Sequence, residues 1–150
     1  MTNRINKDSI LSACLIKQEL QIDDFEKEIA ALKKEIFAHD ESPSQGNSGG
    51  AEKNELLQRY ETELEFLKAE YQILEGLDSK KDFNEVLPGA VVVTNQRIFF
   101  VSVSIEQVEV NGVNIFGIST KAPIYEALRQ KKKGDKFDFN KINYKILDVY

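Results

Sequence analysis

The chain has 150 residues, of which 41% are hydrophobic and 30% are charged, a composition that suits one or two small globular domains. Its single cysteine, Cys14, excludes an internal disulfide and a cysteine-based zinc site, and its single histidine, His39, argues against a multi-histidine metal centre. No apolar run reaches the roughly 18 residues that a membrane span requires. The polar N-terminal stretch around Arg4 and Lys7 lacks the apolar core of a signal peptide. We therefore expect a cytoplasmic protein with no membrane contact.

The charge is distributed unevenly along the chain. Residues 1–76 hold 9 Lys/Arg against 16 Asp/Glu, a balance of −7, whereas residues 77–150 hold 11 against 9, a balance of +2. Because nucleic-acid phosphates repel an acidic surface, direct DNA or RNA binding through the first half is disfavoured. A basic, metal-containing or protein partner suits that half better.

The first half carries apolar residues at spacings that alternate between four and three. This period of 3.5 gives a narrow stripe, which is typical of a coiled coil. Gln18 fills the one polar position in the series. With Asn6, Asp8 or Ser9 as the N-cap, the pattern predicts a helix from about Ser9 to Ala38. The apolar members are Leu11, Leu15, Ile22, Phe25, Ile29, Leu32 and Ile36.

Residues 39–51 interrupt this pattern with one proline and three glycines, which predicts a loop. The stripe then restarts in a second helix that ends at Gly76. Glu52 and Glu55 are expected in the first turn of that helix, where they would complement its macrodipole. Two stripes joined by a loop predict an antiparallel helical hairpin, because neither helix can bury its stripe alone. The second stripe consists of Leu57, Tyr60, Leu64, Leu67, Tyr71 and Leu74.

The remaining residues change to a β pattern after a polar connector at 78–88. Asn111-Gly112 is a strong signal for a two-residue hairpin turn, and Pro123 opens a short helix that runs to about Gln130. These features predict an α+β fold: a helical hairpin at 1–77, a linker at 78–88 and an antiparallel sheet domain with one short helix at 89–150. Runs rich in Val, Ile and Phe predict strands at Val91–Thr94, Arg97–Ser104, Gln107–Val110, Val113–Ile118, Lys136–Phe139 and Tyr144–Val149.

Two sets of residues are expected in the core rather than in a functional site. Cys14 lies beside the first stripe and is interpreted as a small buried apolar group. Four phenylalanines lie on predicted strands, where the alternation of side chains places one of each adjacent pair toward the core. We interpret Phe99, Phe100, Phe137 and Phe139 as core residues and not as a nucleic-acid platform.

The C-terminal segment carries a recognisable motif. Residues 118–128 read ISTKAPIYEAL and are followed by Lys132-Lys133-Gly134-Asp135; residues 143–150 read NYKILDVY. This arrangement of a strand ending in Ser, a helix opened by Pro-Ile, a Gly-Asp turn and a closing strand resembles the C-terminal domain of the GreA/GreB family of bacterial transcription elongation factors. The specific motif covers about 35 residues, and a helical hairpin placed before such a domain is also the layout of that family.

The resemblance implies a fold and a function. The C-terminal domain would be FKBP-like and would dock on RNA polymerase, while the coiled coil would reach through the secondary channel of the polymerase. There, carboxylates at the tip of the hairpin would help to hold a Mg²⁺ ion shared with the polymerase, in indirect contact with nascent RNA and DNA. The chain would then be an accessory factor that stimulates the polymerase's own cleavage of backtracked transcripts. It would not itself be an enzyme and would hold no metal in isolation.

The predicted tip departs from the family pattern. Cleavage-active members carry an Asp and a Glu three residues apart, whereas Asp40 and Glu41 are adjacent here and Pro43 stands three residues after Asp40. Asp40 and Glu41 are either solvated loop residues or the carboxylates that assist the metal, and His39 is expected to be an exposed tip residue. On the second domain, Ser119, Lys121 and Pro123 are the candidates for docking on polymerase. Lys131-Lys132-Lys133 is either a solvated turn or a contact with an acidic polymerase surface or RNA.

Three alternatives remain open at the level of function. The altered tip is compatible with a regulator that occupies the secondary channel without stimulating cleavage. The stripes could also pair between two chains, which would make the protein a dimeric adaptor, although a loop at 39–51 favours a monomer that folds back on itself. Prolyl isomerase activity would rest on fold analogy alone, and a fold does not determine a function.

Overall fold

The computed structural model describes residues 4–40 and 48–150, and side chains are not described for residues 39, 40, 48 and 49. The chain forms two long helices, then a sheet of six strands with one short helix before the last two strands. The elements are α1 (Lys7–Asp40), α2 (Ser48–Glu75), β1 (Val91–Thr94), β2 (Ile98–Ser102), β3 (Ile105–Val110), β4 (Val113–Ser119), α3 (Pro123–Leu128), β5 (Lys136–Phe139) and β6 (Ile142–Val149). The predicted helical hairpin followed by an α+β sheet domain is confirmed.

α1 and α2 pair with each other in an antiparallel direction. The Phe25 ring packs edge-on against the Tyr60 ring, with 5.7 Å between the centroids. Further along α1, Glu35 lies 3.7 Å from the Lys53 ammonium. The partner's number falls as the α1 number rises, as antiparallel helices require. Ile29, Leu32 and Leu67, all members of the predicted stripes, are buried, so the 3.5-residue period identifies the faces that meet.

The ends of the two helices differ from the prediction at the loop. α1 begins at Lys7, where the Asn6 side chain caps it by accepting the Ser9 N–H at 3.2 Å, and it continues to Asp40. α2 begins at Ser48, so the expectation that Gly49 and Gly50 end helical structure is wrong. A helix tolerates glycine in its first turn, where the backbone N–H groups have no intrahelical acceptor.

The earlier start of α2 also changes the interpretation of two carboxylates. Glu52 and Glu55 were expected in the first turn, but that turn contains no acidic residue. The influence of the macrodipole falls off beyond the first turn. Both side chains are exposed, and the proposed stabilisation of the helix start by these two residues is therefore wrong.

The six strands form one sheet in the order β3-β4-β2-β1-β6-β5. Four of the neighbouring pairs are antiparallel, as predicted, but β2 and β4 run parallel, so the sheet is mixed. The β3–β4 hairpin turns at Asn111-Gly112, where both residues have positive φ angles of 53° and 77°, the conformation expected for the predicted turn. The hairpin docks on β2 through β4, which leaves β3 at the edge of the sheet.

Gly117 allows the chain that leaves β2 to cross close to β4 on its way to β3. The chain leaving β2 passes directly over Gly117: a Cβ atom at that position would lie 2.6 Å from the Val103 carbonyl oxygen and 3.0 Å from the Ile105 Cβ. Only glycine allows the connection to cross so close to the strand. In the sequence, this crossing is marked by one glycine, and the strand pattern alone does not predict the crossing.

The sheet carries a separate core on each face. On one face, strand residues pack with Tyr125 and Leu128 of α3. On the other face, strand residues pack with Ile10 and Cys14 of α1 and Leu74 of α2. The first core includes Val92, Phe99, Val101, Ile118, Phe137, Tyr144 and Ile146, and the second includes Val91, Phe100, Ile105, Val108, Val110, Ile115 and Tyr150.

The two-sided core confirms the expected role of Cys14 and of the phenylalanines, with one difference. Phe99 and Phe100 were expected to place one ring inward, yet both are buried because each face of β2 is covered. Phe137 is buried, and Phe139 is partly buried against the first core. Burial raises the pKa of the Cys14 thiol to about 12, as expected for a thiol with no room for a hydrated thiolate.

Two compact units result from this packing: residues up to Lys17 together with Gln72–Tyr150, and Gln18–Tyr71. In the first unit, Arg4 forms a bidentate pair with Asp148 at 2.9 and 3.0 Å, and the Tyr150 hydroxyl donates to the Ile5 carbonyl at 2.7 Å. The Arg4 guanidinium lowers the pKa of the Asp148 carboxyl. These contacts fasten Arg4 and Ile5 to the C-terminal end of the last strand and the residue after it. In the second unit, the two helices pack on each other.

The close crossing at Gly117 can be tested by substitution. Gly117→Ala should lower the free energy of unfolding by about 2–3 kcal/mol, because the added methyl would meet backbone that cannot retreat without distorting the β2–β3 connection. Gly112→Ala is the matched control: nothing lies within 4 Å of its added Cβ, so only the positive φ opposes it, at about 1 kcal/mol. Urea denaturation measures both. Equal losses for the two variants would contradict the crossing.

Candidate functional site

The predicted tip carboxylates lie at the limit of the described part of the chain. Asp40 is the last residue of α1, but its side chain and that of His39 are not described, and Glu41 lies outside the described residues. Their predicted roles stay predictions. The structure does place the two helix ends on either side of the tip: α1 ends at Asp40 and α2 begins at Ser48.

The predicted docking residues come together in one turn between β4 and α3. The Ser119 hydroxyl accepts the Lys121 N–H at 3.0 Å, and the Ser119 carbonyl accepts the Ala122 N–H at 3.0 Å. Pro123 occupies the first turn of α3, where its missing N–H costs nothing. Lys121 and Pro123 are exposed and Ser119 is half-buried. The turn is therefore held by its own hydrogen bonds and presents two of the three side chains to solvent.

The Lys131-Lys132-Lys133 run is held by backbone hydrogen bonds to other parts of the chain. The Lys131 carbonyl accepts the Val86 N–H at 2.8 Å, and the Val86 carbonyl accepts the Gln130 N–H at 2.9 Å. The Lys132 N–H donates to the Asp135 carboxylate at 2.8 Å. Lys132 and Lys133 nevertheless keep exposed side chains. The backbone of the run thus fastens the connector before β1 to the segment after α3, while the charges remain available.

The hairpin contains a buried polar pair, and the sequence pattern identifies only one of its members. Gln18, the polar member of the α1 stripe, is 1% exposed, and Glu70 of α2 is 6% exposed. The Gln18 amide nitrogen donates to the Glu70 carboxylate at 3.1 Å and to the Leu67 carbonyl at 3.2 Å. Glu70 lies outside the predicted stripe, and no pattern in the sequence marks it as buried. Polar pairs at such positions fix the alignment of two helices.

Among the side chains that the structure describes, no three from His, Cys, Asp or Glu cluster closely enough to hold a metal ion. None of the helices in the described part of the chain has the length and apolar character needed to cross a membrane.

Comparisons with known proteins identify neighbours among the solved structures. No family model and no curated protein matches the chain. The chain is similar to solved structures of transcription factors described as GreA homologues. The GreA factor homolog 1 (Gfh1) protein of Thermus thermophilus is 18% identical, with 91% of this chain and 94% of that chain covered and a TM-score of 0.39.

Two further neighbours give similar values. A structure described as the transcription factor Gfh1 is 19% identical over 92% of this chain and 94% of that chain, with a TM-score of 0.38. Gfh1 of Thermus aquaticus is 18% identical over 93% and 95%, with a TM-score of 0.34. The first of the three descriptions names GreA, a member of the family that the C-terminal motif resembles. Identities and TM-scores of this size do not assign a function.

The buried pair in the hairpin generates a prediction. Gln18→Ala should lower the free energy of unfolding by about 1–3 kcal/mol, because it removes a hydrogen bond from a carboxylate that stays buried. The double variant Gln18→Leu/Glu70→Leu should recover most of that loss, since an apolar pair needs no hydrogen bond. Thermal and urea unfolding of the single and double variants give the comparison. A double variant that is less stable than Gln18→Ala would mean that the polar pair adds net stability to the hairpin. That result would contradict the interpretation that the pair only aligns the two helices.

Proposed function

We propose that this chain is a Gre-like transcription factor that binds bacterial RNA polymerase and inserts its helical hairpin into the secondary channel. The observation that carries the proposal is the intramolecular pairing of α1 and α2, which brings Asp40 and Ser48 to the same end of an antiparallel hairpin. A hairpin made of two paired helices is narrow, as a segment that enters a channel must be. The sheet domain that follows it has the C-terminal motif that resembles the GreA/GreB family.

The proposed roles of individual residues follow from that binding mode. Asp40 and Glu41 are the tip carboxylates, and Ser119, Lys121 and Pro123 form the docking surface on the sheet domain. A Mg²⁺ ion in the polymerase would gain a carboxylate ligand, and Mg²⁺ prefers such oxygen ligands. The chain acts as an accessory factor in the cytoplasm, as a monomer, and the polymerase performs the cleavage of the backtracked transcript.

A second function is favoured by one feature of the sequence. Asp40 and Glu41 are adjacent, and Pro43 occupies the position where a partner carboxylate three residues away would stand. Efficient catalysis needs preorganised groups. A protein of the same fold that occupies the channel without stimulating cleavage would need no such geometry. It would compete with cleavage factors or alter initiation.

The dimeric adaptor has less support. Phe25 of the α1 stripe finds its partner, Tyr60, on α2 of the same chain. A helix whose stripe is already buried has less apolar surface left for pairing with a second copy. Light scattering that gave a stable dimer mass would nevertheless favour the adaptor.

The tip is tested with stalled elongation complexes. Bacterial core polymerase stalled on a template, with Mg²⁺ present, should produce 3′-shortened transcripts faster when the full chain is added. Asp40→Ala/Glu41→Ala should reduce that stimulation on the order of tenfold or more, because the ligand to the metal is lost. Glu52→Ala/Glu55→Ala is the matched control, since it removes the same charge from exposed positions of α2 and should leave the stimulation unchanged.

The possible outcomes separate the functions. Binding to the polymerase without shortened transcripts selects the regulator that lacks cleavage stimulation. Failure of the unmodified chain to bind core polymerase in a pulldown overturns the proposed function altogether.

The docking surface is tested by a charge reversal. Lys121→Glu should weaken binding to core polymerase by roughly five- to tenfold. The introduced glutamate would repel the acidic polymerase surface that the lysine attracts. Lys80→Glu changes the same charge at another exposed position and is expected to bind as the unmodified chain does. Equal binding by all three proteins, measured at one salt concentration, would place the contact elsewhere.

A further inference from the structure

One half of a sheet face is covered by helices, and the other half is open. The core formed with α1 and α2 takes its strand residues from β1, β2, β3 and β4. On the same face of β5 and β6, every second side chain is exposed. We call this open part the β5–β6 face; its members are Lys136, Asp138, Asn143, Lys145 and Leu147. The alternate residues of the same strands, including Phe137, Tyr144 and Ile146, are buried on the opposite face.

The β5–β6 face brings two cations into direct opposition. In the register of the two strands, Lys136 lies opposite Lys145. Side chains in such positions have Cβ atoms about 4.5–5.5 Å apart, and like charges there destabilise the pair. Within residues 4–40 and 48–150, neither lysine forms an ion pair. The two lysines therefore present like charges side by side, and Asp138, two residues from Lys136 on the same face, forms an ion pair with neither of them.

Protection of a sheet edge explains only one of the two lysines. A lysine on an edge strand deters pairing with another chain, and Lys136 lies on the edge strand β5. Lys145 lies on β6, which is paired on both sides, with β1 and with β5. The charge of Lys145 therefore does not protect an edge of the sheet. The opposed pair as a whole therefore calls for another explanation.

The surroundings hold Lys145 in place and supply further polar groups. Asn95, in the turn after β1, accepts the Lys145 N–H through its side-chain oxygen at 2.7 Å and donates its own backbone N–H to the Lys145 carbonyl at 3.0 Å. The lysines, Asn95, Asn143 and Asp138 line an open concavity of about 370 Å³. Binding groups on a rigid strand are better positioned than groups on a loop.

We propose that the β5–β6 face is a docking surface for an acidic segment of another protein, with Lys136 and Lys145 pairing to two neighbouring carboxylates. Charge complementarity identifies the partner: binding relieves the repulsion between the two cations and gives each a counter-charge. This surface is separate from the Ser119–Pro123 turn, and the proposal does not require that the partner be RNA polymerase.

Three features favour an acidic protein segment over nucleic acid. Asp138 lies on the same face, opposite Asn143, and would repel a continuous row of phosphates. Leu147 is 44% exposed on β6 and offers an apolar contact that a side chain can use but a phosphate backbone cannot. The net charge of −5 also opposes a polyanion more strongly than it opposes a segment with a few carboxylates.

The test uses the full chain, labelled with ¹⁵N, and a short poly-glutamate peptide at low salt. We expect saturable amide shifts centred on residues 95, 136, 143 and 145, and weaker binding at higher NaCl because the charges are screened. Lys136→Gln/Lys145→Gln should weaken the binding by about tenfold or more. Lys33→Gln/Lys80→Gln removes the same charge from exposed positions elsewhere and should bind as the unmodified chain does.

A second measurement does not depend on any ligand. Lys136→Gln should raise Tm by about 1–3 °C, because it removes the repulsion across the strand pair. A lower Tm would mean that the lysine stabilises the sheet and would overturn the argument from repulsion.

Three binding results would also overturn the proposal. They are shifts spread evenly over unrelated lysines, equal peptide binding by the double variant and the unmodified chain, and tighter binding of a single-stranded oligonucleotide with the same number of charges as the peptide. The last result would assign the face to nucleic acid.

Discussion

The pairing of α1 with α2 in one register is the constraint on which the rest of the structure depends. A stripe of period 3.5 fixes which faces meet, but it leaves the helices free to slide by a heptad. The bond from Gln18 to Glu70 opposes such sliding, since a shift by one heptad would separate the Gln18 amide from the buried Glu70 carboxylate. The antiparallel pairing itself places Asp40 and Ser48 at the same end of the hairpin. Within the sheet unit, Ile10 and Leu74 both lie in the core.

The two compact units differ in charge, so the partner proposed for each is of a different kind. Gln18–Tyr71 contains 6 Lys/Arg and 14 Asp/Glu, a balance of −8, so the remainder of the chain has a balance of +3. An acidic helical hairpin enters a phosphate-rich environment only against repulsion. A cation held by a partner, such as the Mg²⁺ of a polymerase, offsets that repulsion locally. The sheet unit can instead engage acidic protein surfaces through exposed lysines such as Lys121 and Lys145.

The elements were predictable because local periodicity determines them, whereas the arrangement of the strands was not. Val91–Thr94 and Lys136–Phe139 were predicted to the residue, since alternation and turn residues mark both. The parallel pairing of β2 and β4 depends on the crossing over Gly117, a contact between residues that no local pattern connects. Burial of Glu70 likewise depends on its tertiary partner, Gln18. The candidate docking turn was predictable from its motif, but the opposed lysines required the strand register.

The geometry of α1 bears on which of the two proposed polymerase functions the tip can serve. Asp40 is still helical, and consecutive residues on a helix point about 100° apart, so neighbours in sequence do not face each other. Two carboxylates three residues apart converge on one ion within a helix. For Asp40 and Glu41 to converge, the chain must leave the helical path between them. Cleavage stimulation by this pair therefore requires a change of backbone direction directly after α1, while occupation of the channel without cleavage requires none.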